Sequence, residues 1–503
     1  MVHKAYTAQQ IRAAEKPLLD GSDTLMKSAA HAVARVAEAM LQGPSRVVVL
    51  AGKGGNGGDA LYAGAELALA GHRVEAWCVF GAAHSRALEA FSDAGGTLVD
   101  APRFPADLLI DGVVGLGAAG SLPESLVGIG DLAEKVLAVD VPSGIAADTG
   151  EAAPVHISAD VTVTFGGWRL AHALAAQCGT ALLADIPPLV MDGYEPTWIS
   201  RATAPAESFG LTALGPVISG SLEPGARDDK YTGGVVGIRA GSSTYPGAAV
   251  LCAAGAVAAT SAMVRYAGPQ AAEVVRAHPE IVVASRLEDT GRVHAWVYGP
   301  GAGDGASELE WLLARREPLL IDADGISLLA RHEHLRLRLR QRESYTVLTP
   351  HDGEAARLGE SAGVIASDRF TEAKQLADLL HCTVVRKGRA SIIARAGNRP
   401  SYVVDAGNSW AATPGSGDVL AGVAGARLAR AAVMGADADD AIFHAVQVHG
   451  LAAKLAAETK FGPAPTCASG IAAHIREATA LLTEKQPSQH PRSGADETAG
   501  IWC

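Results

Sequence analysis

The stretch "RVVVLAGKGGNGGDA", residues 46–60, runs an apolar segment into a glycine-rich turn and then into a helix-like pattern. A short valine-rich run bounded by glycine predicts a buried strand, and a glycine turn opening a helix predicts the strand–turn–helix step of a parallel α/β sheet. By spacing, Gly52, Gly54 and Gly57 fit G-x-G-x-x-G. Glu75 stands in the next apolar run, roughly 20 residues on, where a dinucleotide fingerprint places its acid. Taken alone, that pattern predicts an NAD-binding dehydrogenase. Asp59 speaks against it, because it sits in the first turn of the helix, where a pyrophosphate needs the positive end of the dipole for itself. The loop is no P-loop either: Lys53 precedes the glycines it would have to follow.

Outward from this turn the chain divides into two α/β regions. In the first, strands are expected at 47–50, 74–79, 108–110, 136–139, 161–164 and 181–184, with alanine-rich helical patterns between several of them, as a doubly wound parallel sheet requires. In the second they are expected at 235–238, 281–284, 295–298, 318–321, 345–348, 383–386, 391–394 and 402–404, followed by long helices over 417–430 and 437–459. A Pro-, Gly- and Ser-rich stretch from about Glu195 to Asp229 separates the regions and places a boundary near Ala206, giving domains 1–205 and 206–485. Residues 486–503 carry no apolar period and are expected to be a disordered tail.

At 503 residues the chain is long enough for two or three domains, on a prior of roughly 100 to 200 residues each. Its net charge of -12 disfavours a nucleic-acid partner, so any phosphate recognition is local. Six cysteines without a C-x-x-C pair suit neither a zinc cage nor a disulfide framework, which points to a reducing cytoplasm. "MVHKAYTAQQIRAAEK" has charges where a signal peptide needs its apolar region. The apolar run "PGAAVLCAAGAVAATSAMV", 246–264, is rich in Ala and Gly and predicts a closely packed buried helix rather than a membrane span.

In open parallel sheets ligands bind at the carboxyl ends of the strands. Three such ends in the first region are polar or glycine-rich: "GGNGGD", "DGVVGLGAAG" at 111–120 and "VDVPSG" at 139–144. The second is itself a G-x-G-x-x-G match at Gly115, Gly117 and Gly120, and two such loops on one sheet weaken the dehydrogenase reading. Asp140, at a strand end, suits general acid/base work, with a turn residue before Pro142 as the plain alternative. In the second region "TPGSGD", 413–418, sets a glycine turn at a helix N-terminus beside an aspartate. That combination suits phosphoryl transfer to an alcohol: backbone N–H groups meet developing negative charge while Asp418 takes the hydroxyl proton. Alone, His351 reads as a turn residue and Lys387 as a solvated charge.

Together with the opening "YTAQQIRAAEK", the three loops resemble the N-terminal epimerase domain of bifunctional NAD(P)H-hydrate repair enzymes, over most of residues 5–190. The resemblance implies a Rossmann-like three-layer α/β/α domain that interconverts the R and S epimers of hydrated NADH or NADPH with a bound potassium ion. It implies Asn56, Asp111 and Ser143 as potassium ligands, oxygen donors being what a hard cation prefers. It implies Asp140 as the proton-transfer residue, and Asn56, Gly57, Gly58, Asp59, Gly115, Leu116, Gly117, Ala118, Ala119, Gly120 and Ser121 as substrate contacts, the last seven wrapping phosphates. The chain departs from the family at Gly55, Ala60, Arg169 and Lys27, where Asn, Gly, Lys and Glu are usual.

"DKYTGGVVGIRAGSSTYPGAA", "YGPGAG", "IDADGISLL", "TPHDGE" and "VRKGRAS" precede "TPGSGD" in the order of that family's second, ribokinase-like dehydratase domain, over most of residues 228–480. The resemblance implies ADP- or ATP-driven loss of water from the S epimer, ADP being usual in bacterial-type members, with magnesium on the polyphosphate. Lys387, Gly388, Arg389, Ala390, Ser391 and Gly417 would contact the nucleotide, and Ala248, Gly303, His351 and Asp418 the hydrate. Asp418 would be the catalytic base. Ser391 replaces a usual Thr, and "DADGI" a usual "DADAL" around Asp324. NADHX, NADPHX and the nucleotide are thus the expected small-molecule partners, with a homo-oligomer and no membrane. Two other readings stand beside this one: a small-alcohol kinase of the ribokinase type carrying a non-catalytic nucleotide-binding module, and a first domain that senses nucleotide without catalysis.

Overall fold

The computed structural model describes residues 3–19, 21–116, 122–186, 189–201, 212–213 and 223–483. The glycine loop 117–121, the boundary position 206 and the tail 486–503 lie outside the described residues. The first sheet runs, from one edge to the other, Thr97–Leu98, Arg73–Cys78, Arg46–Ala51, Leu108–Gly112, Val136–Val139, Val161–Phe165 and Thr180–Ala184, all parallel, with Thr212–Ala213 antiparallel at the far edge. The chain winds one way from Arg46–Ala51 and then returns past it, so a crevice opens between that strand and Leu108–Gly112 at their carboxyl ends. Alternation along Arg46–Ala51 feeds two cores. Val47, Val49 and Ala51 face helices Thr24–Met40 and Gly55–Leu69, while Val48 and Leu50 pack with Leu122, Leu126 and Ile129 on the other side.

The second sheet has eleven strands. Val282–Ala284, Val264–Ala267, Val236–Arg239, Ala295–Tyr298, Leu319–Ile321, Thr346–Leu348 and Thr383–Arg386 run parallel, then Ala390–Ala394 and Tyr402–Asp405 as antiparallel neighbours. Two strands from the first region complete it: Thr197–Arg201 lies parallel beside Tyr402–Asp405, and His3–Ala5 pairs antiparallel outside it. The two sheets therefore overlap in sequence around position 206, since Thr212–Ala213 beyond it pairs back onto Thr180–Ala184. These strands are short or lie in the Pro- and Gly-rich stretch, so no periodicity announces them.

The run 246–264 forms the buried helix Pro246–Ala259 and then turns into the strand Val264–Ala267. Its small residues let it touch helix Ser416–Met434 backbone to backbone. A Cβ on Gly422 would lie 2.0 Å from the Cys252 carbonyl oxygen, and one on Gly255 2.2 Å from that of Val419. No helix among the described residues is long and apolar enough to cross a membrane.

Because a methyl at Gly422 has only backbone to displace, Gly422→Ala is expected to cost about 1–3 kcal/mol and to lower the thermal midpoint. Gly247→Ala, on the same helix pair but with nothing within 4 Å of its Cβ position, is expected to leave the midpoint level or higher. Equal midpoints for Gly422→Ala and wild type in a thermal melt would refute the close approach.

Candidate active sites

In the first domain Asn56, Asp111, Asp140 and Ser143 come together at the carboxyl ends of neighbouring strands. Asn56, in the first turn of Gly55–Leu69, donates from Nδ2 to the Val139 carbonyl at 2.7 Å and thereby ties the first loop to the strand that ends at Asp140. Its Oδ1 lies only 2.4 Å from where a Cβ on Gly115 would stand, so a side chain there would have to displace the Asn56 amide. Arg12 donates to the Leu116 carbonyl from above. Asp111, fully buried, accepts from the Ser143 N–H at 2.7 Å, the Ser143 hydroxyl at 2.6 Å and the Val113 N–H at 3.2 Å. Burial still raises its carboxyl above the usual range, and among the described residues no cationic side chain pairs with it. Gly57, Gly58 and Asp59 follow in the same helix. Gly117, Ala118, Ala119, Gly120 and Ser121 lie outside the described residues.

Asp140 adopts φ +66°, a left-handed conformation that costs a non-glycine residue about 1–3 kcal/mol. Its surroundings hold it there. Its N–H donates to the Val163 carbonyl at 2.7 Å, and its own carbonyl oxygen stands 2.7 Å from His172 Nε2. On the side chain, Oδ1 accepts from Thr164 at 2.9 Å and from Arg169 at 2.9 Å. Arg169, the departure from lysine, is buried and donates as well to the Gly167 carbonyl. The guanidinium keeps a cation against Asp140 as a lysine would, in a more rigid fork. Thr164, Arg169 and His172 were not picked out by sequence reasoning as partners of Asp140; the signal was the family's lysine at position 169.

Asp59 makes no hydrogen bond among the described residues. Desolvation in the crevice, followed by the negative charges of Asp140 and Glu15, pushes its carboxyl well above the usual range. The repulsion argument against a pyrophosphate, which assumed an ionised Asp59, therefore loses its force. Glu75, the supposed ribose acid, is instead buried in ion pairs with Arg46 at 3.2 Å and Arg73 at 3.3 Å. The dehydrogenase pattern fails on that residue.

In the second domain Asp322, Glu354 and Lys387 meet beneath the turn that opens helix Ser416–Met434. Lys387 Nζ lies 2.6 Å from Asp322 Oδ1 and 3.9 Å from Glu354 Oε2. Burial disfavours the ammonium, yet Asp322, Glu354 and Asp418 outweigh it and raise its pKa. Lys387 is thus a buried cation, not a solvated one. Asp418 makes no hydrogen bond among the described residues. Burial, then Asp322, push its carboxyl up to about 7, with Lys387 pulling down and Asp324 and Glu354 adding to the rise. Ser416 is fixed by His449, whose Nε2 stands 3.0 Å from both its hydroxyl and its carbonyl oxygen.

Other expected contacts divide. Gly303, at φ +73°, donates to Asp324 at 2.8 Å, and the preceding Gly301 packs on Ala248, which holds the 299–303 loop close to helix Pro246–Ala259. His351 caps helix Asp352–Ala362 through Nδ1, which accepts from Gly353 N–H at 3.0 Å, while Nε2 lies 3.3 Å from Glu354 Oε1 and the ring is half-exposed. Gly388 sits against the Arg369 guanidinium, which donates to the Lys387 carbonyl at 2.7 Å; Ser391 donates to the Gly388 carbonyl at 3.1 Å. Arg389 is turned to Asp405 at 3.4 Å, Ala390 is buried in its strand, and Gly417 sits over Lys387. Sequence reasoning missed Asp322, although "IDADGISLL" contains it.

A Rossmann-type crevice built round a buried carboxylate, followed by a glycine turn whose aspartate carboxyl has no hydrogen-bond partner among the described residues, marks a two-domain α/β enzyme. Residues 22–171 match the family described as YjeF-related protein N-terminus, and residues 236–472 the family described as NAD(P)H-hydrate dehydratase. The bifunctional NAD(P)H-hydrate repair enzyme Nnr of Corynebacterium glutamicum is 41% identical, over 96% of this chain and 99% of that one. Its namesake in Mycobacterium tuberculosis is 44% identical, over 95% of this chain and 99% of that one. The chain belongs to the bifunctional NAD(P)H-hydrate repair enzymes, with the epimerase domain first and the dehydratase domain second. A solved structure, the ADP/ATP-dependent NAD(P)H-hydrate dehydratase from Bacillus subtilis co-crystallized with ATP/Mg2+, is similar at 23% identity and TM-score 0.44, over 52% of this chain and 94% of that one.

The raised carboxyl of Asp59 has a thermodynamic consequence. Stability that depends on its neutral form is complete below the unfolded value of about 4 and is lost as pH climbs through the raised folded value. Asp59→Asn, neutral throughout, is expected to flatten that decline, so its thermal midpoint exceeds the wild type's on the alkaline side. Superimposable curves of midpoint against pH would mean that Asp59 is ionised in the fold.

Proposed function

We propose that the first domain interconverts R- and S-NAD(P)HX at Asp140, and that the second uses ADP, or ATP in its place, to dehydrate the S epimer with Asp418 as base. The observation that carries the second step is the unpaired Asp418 carboxyl, raised to about 7, in the glycine turn above Lys387. A base so poised takes a hydroxyl proton at neutral pH and passes it on. The ring hydroxyl, deprotonated by Asp418, attacks the terminal phosphorus; the P–O bond to the leaving nucleotide breaks and its electron pair goes to AMP (or ADP). Phosphate then leaves the ring as a neighbouring ring proton is lost, so that water has been removed overall at the expense of one phosphoanhydride. The N–H groups of the turn and the Lys387 ammonium stabilise the charge on the transferred group.

Magnesium would neutralise charge on the polyphosphate. Among the described residues no group of three or more His, Cys, Asp or Glu side chains is placed to hold a metal ion, which fits an ion carried mainly by phosphate and water. In the first domain a potassium ion held by Asn56, Asp111 and Ser143 would suit the oxygen donor set and buried Asp111, with which no cationic side chain pairs among the described residues. Asp140, held 2.9 Å from the Arg169 guanidinium, is the residue that moves the carbinolamine proton in this reading. Self-association of the full chain belongs to the same reading, and its size in solution tests it.

The assay is recovery of reduced-nicotinamide absorbance from an R/S mixture of hydrated NADH with magnesium and ADP or ATP. Complete recovery, faster than spontaneous epimerisation, is expected from the wild type. Asp418→Asn is expected to lose dehydration by about 10²–10⁴-fold, and the wild-type rate to fall on the acid side of about 7. Asp140→Asn is expected to consume the S fraction at the normal rate and then stall at the spontaneous one. Recovery of the S fraction alone by the wild type would make the first domain a sensor, and no recovery with either nucleotide would return the small-alcohol kinase.

Potassium is expected to raise the thermal midpoint over sodium at equal ionic strength, with the difference abolished in Asp111→Asn. The same midpoint in both salts would remove the ion from the first site.

A further inference from the structure

The Lys387–Asp322 pair is more than the neutralisation of a buried lysine. Asp322 follows strand Leu319–Ile321, Lys387 follows Thr383–Arg386, and Thr346–Leu348 lies between them in the sheet, so the two side chains reach across a full strand to meet at 2.6 Å. The loop after Asp322 is bent to permit it. Ala323 has φ +47°, and the Asp322 carbonyl, which accepts from Gly325 N–H at 2.9 Å, leaves no room for a Cβ on Gly299. The result places Lys387 Nζ 3.3 Å, and the second Asp322 oxygen 3.9 Å, from the Cβ position of Gly417. The cation thus sits directly under the turn whose N–H groups face the phosphoryl group.

Lys387 has three carboxylates in reach: Asp322, Glu354 and Asp418. Paired with Asp418 it would hold that carboxylate as an inert ion partner and draw down its basicity. Glu354 is committed elsewhere, accepting from the His351 N–H at 2.9 Å in the helix cap. Among the described residues Asp322, 1% exposed and 2.6 Å away against 3.9 Å for Glu354, is the carboxylate that fixes the ammonium away from Asp418.

We infer that Asp322 is a positioning residue for phosphoryl transfer: it anchors the Lys387 ammonium beneath the Ser416–Asp418 turn and keeps it from pairing with Asp418, leaving that carboxylate free to take the hydroxyl proton. The inference rests on the reading of Asp418 as base. The charged and titratable groups around Asp418 are Asp322 and Asp324 from one side, Glu354 from helix Asp352–Ala362, Lys387 from the strand end, Cys252 from helix Pro246–Ala259, and neutral His449 behind Ser416. Removing the negative charge of Asp322 and releasing Lys387 both act on Asp418 in one direction, toward lower pKa. Removing Lys387 acts in the other.

The test is the pH profile of S-NADHX dehydration by the full chain with magnesium and ADP, wild type against Asp322→Asn, Asp322→Glu and Lys387→Met. Asp322→Asn is expected to lower kcat by about tenfold or more, with KM for the hydrate little changed, and to move the acid limb down by about one pH unit. Asp322→Glu is expected to restore the limb toward its wild-type position. Lys387→Met is expected to move the limb upward in its residual activity, which gives an independent reading if Asp322→Asn does not accumulate as folded protein. A fall in kcat with an unmoved limb, a wild-type kcat in Asp322→Asn, or no upward shift in Lys387→Met would overturn the inference. A wild-type chain inactive with both ADP and ATP would overturn the assigned function instead.

Discussion

A parallel sheet delivers every strand's carboxyl end to one edge, and both sites of this chain are built on that constraint. In the first domain Asn56, Asp111, Asp140 and Thr164 come from four neighbouring strands or the turns that follow them. In the second, Gly303, Asp322, His351 and Lys387 do the same. The backbone polar groups of the strands are spent on one another, so what remains to converge at the edge is side chains and the free N–H groups of helix starts. The approach of helix Ser416–Met434 to helix Pro246–Ala259, possible only because Gly422 and Gly255 lack side chains, brings the last of those helix starts down onto Lys387.

The two sites then treat their central aspartates in opposite ways. Asp140 is clasped by Arg169 and Thr164 and held in a strained backbone conformation, so it is fixed in place. The Asp418 carboxyl has no hydrogen-bond partner among the described residues, and burial, then Asp322, lift it to about 7. A group that must gain a proton, lose it and gain it again profits from standing near the pH at which it works.

Most parallel strands of the two sheets and the two long C-terminal helices are legible in the sequence because apolar runs and glycine punctuation are local signals, whereas Val264–Ala267 reads as part of the preceding helix and Thr97–Leu98 is not expected. Asp140 and Asp418 are legible because each lies in a short motif at a strand or helix end. What is not legible arises across the sheet. Asp322 and Lys387 are 65 residues apart, and nothing in either neighbourhood announces the other. Arg169 is visible only as an exchange for lysine, and its contact with Asp140 depends on how the loop after Val161–Phe165 folds back. Asp59 was read as an anion from its residue type, whereas burial in the crevice, and after it Asp140 and Glu15, which sequence order places far away, push its carboxyl well above the usual range. His3–Ala5 and Thr197–Arg201 carry too few residues to show a period at all.

Those last two strands change what the word domain means here. Ala5, Trp168, Leu170 and Ile199 share one buried cluster with Leu348, Ile392 and Val403 of the second sheet. Helix Ala171–Leu174, which carries His172 against the Asp140 carbonyl, packs on strands Thr197–Arg201, Ala390–Ala394 and Tyr402–Asp405. A cut near position 206 would leave Tyr402–Asp405 as a bare sheet edge with apolar surface beside it, a poor state for a soluble fragment. The epimerase half is thus anchored to the dehydratase sheet by backbone hydrogen bonds as well as by a linker. The segment that supports Asp140 from behind is the same one that covers the second sheet.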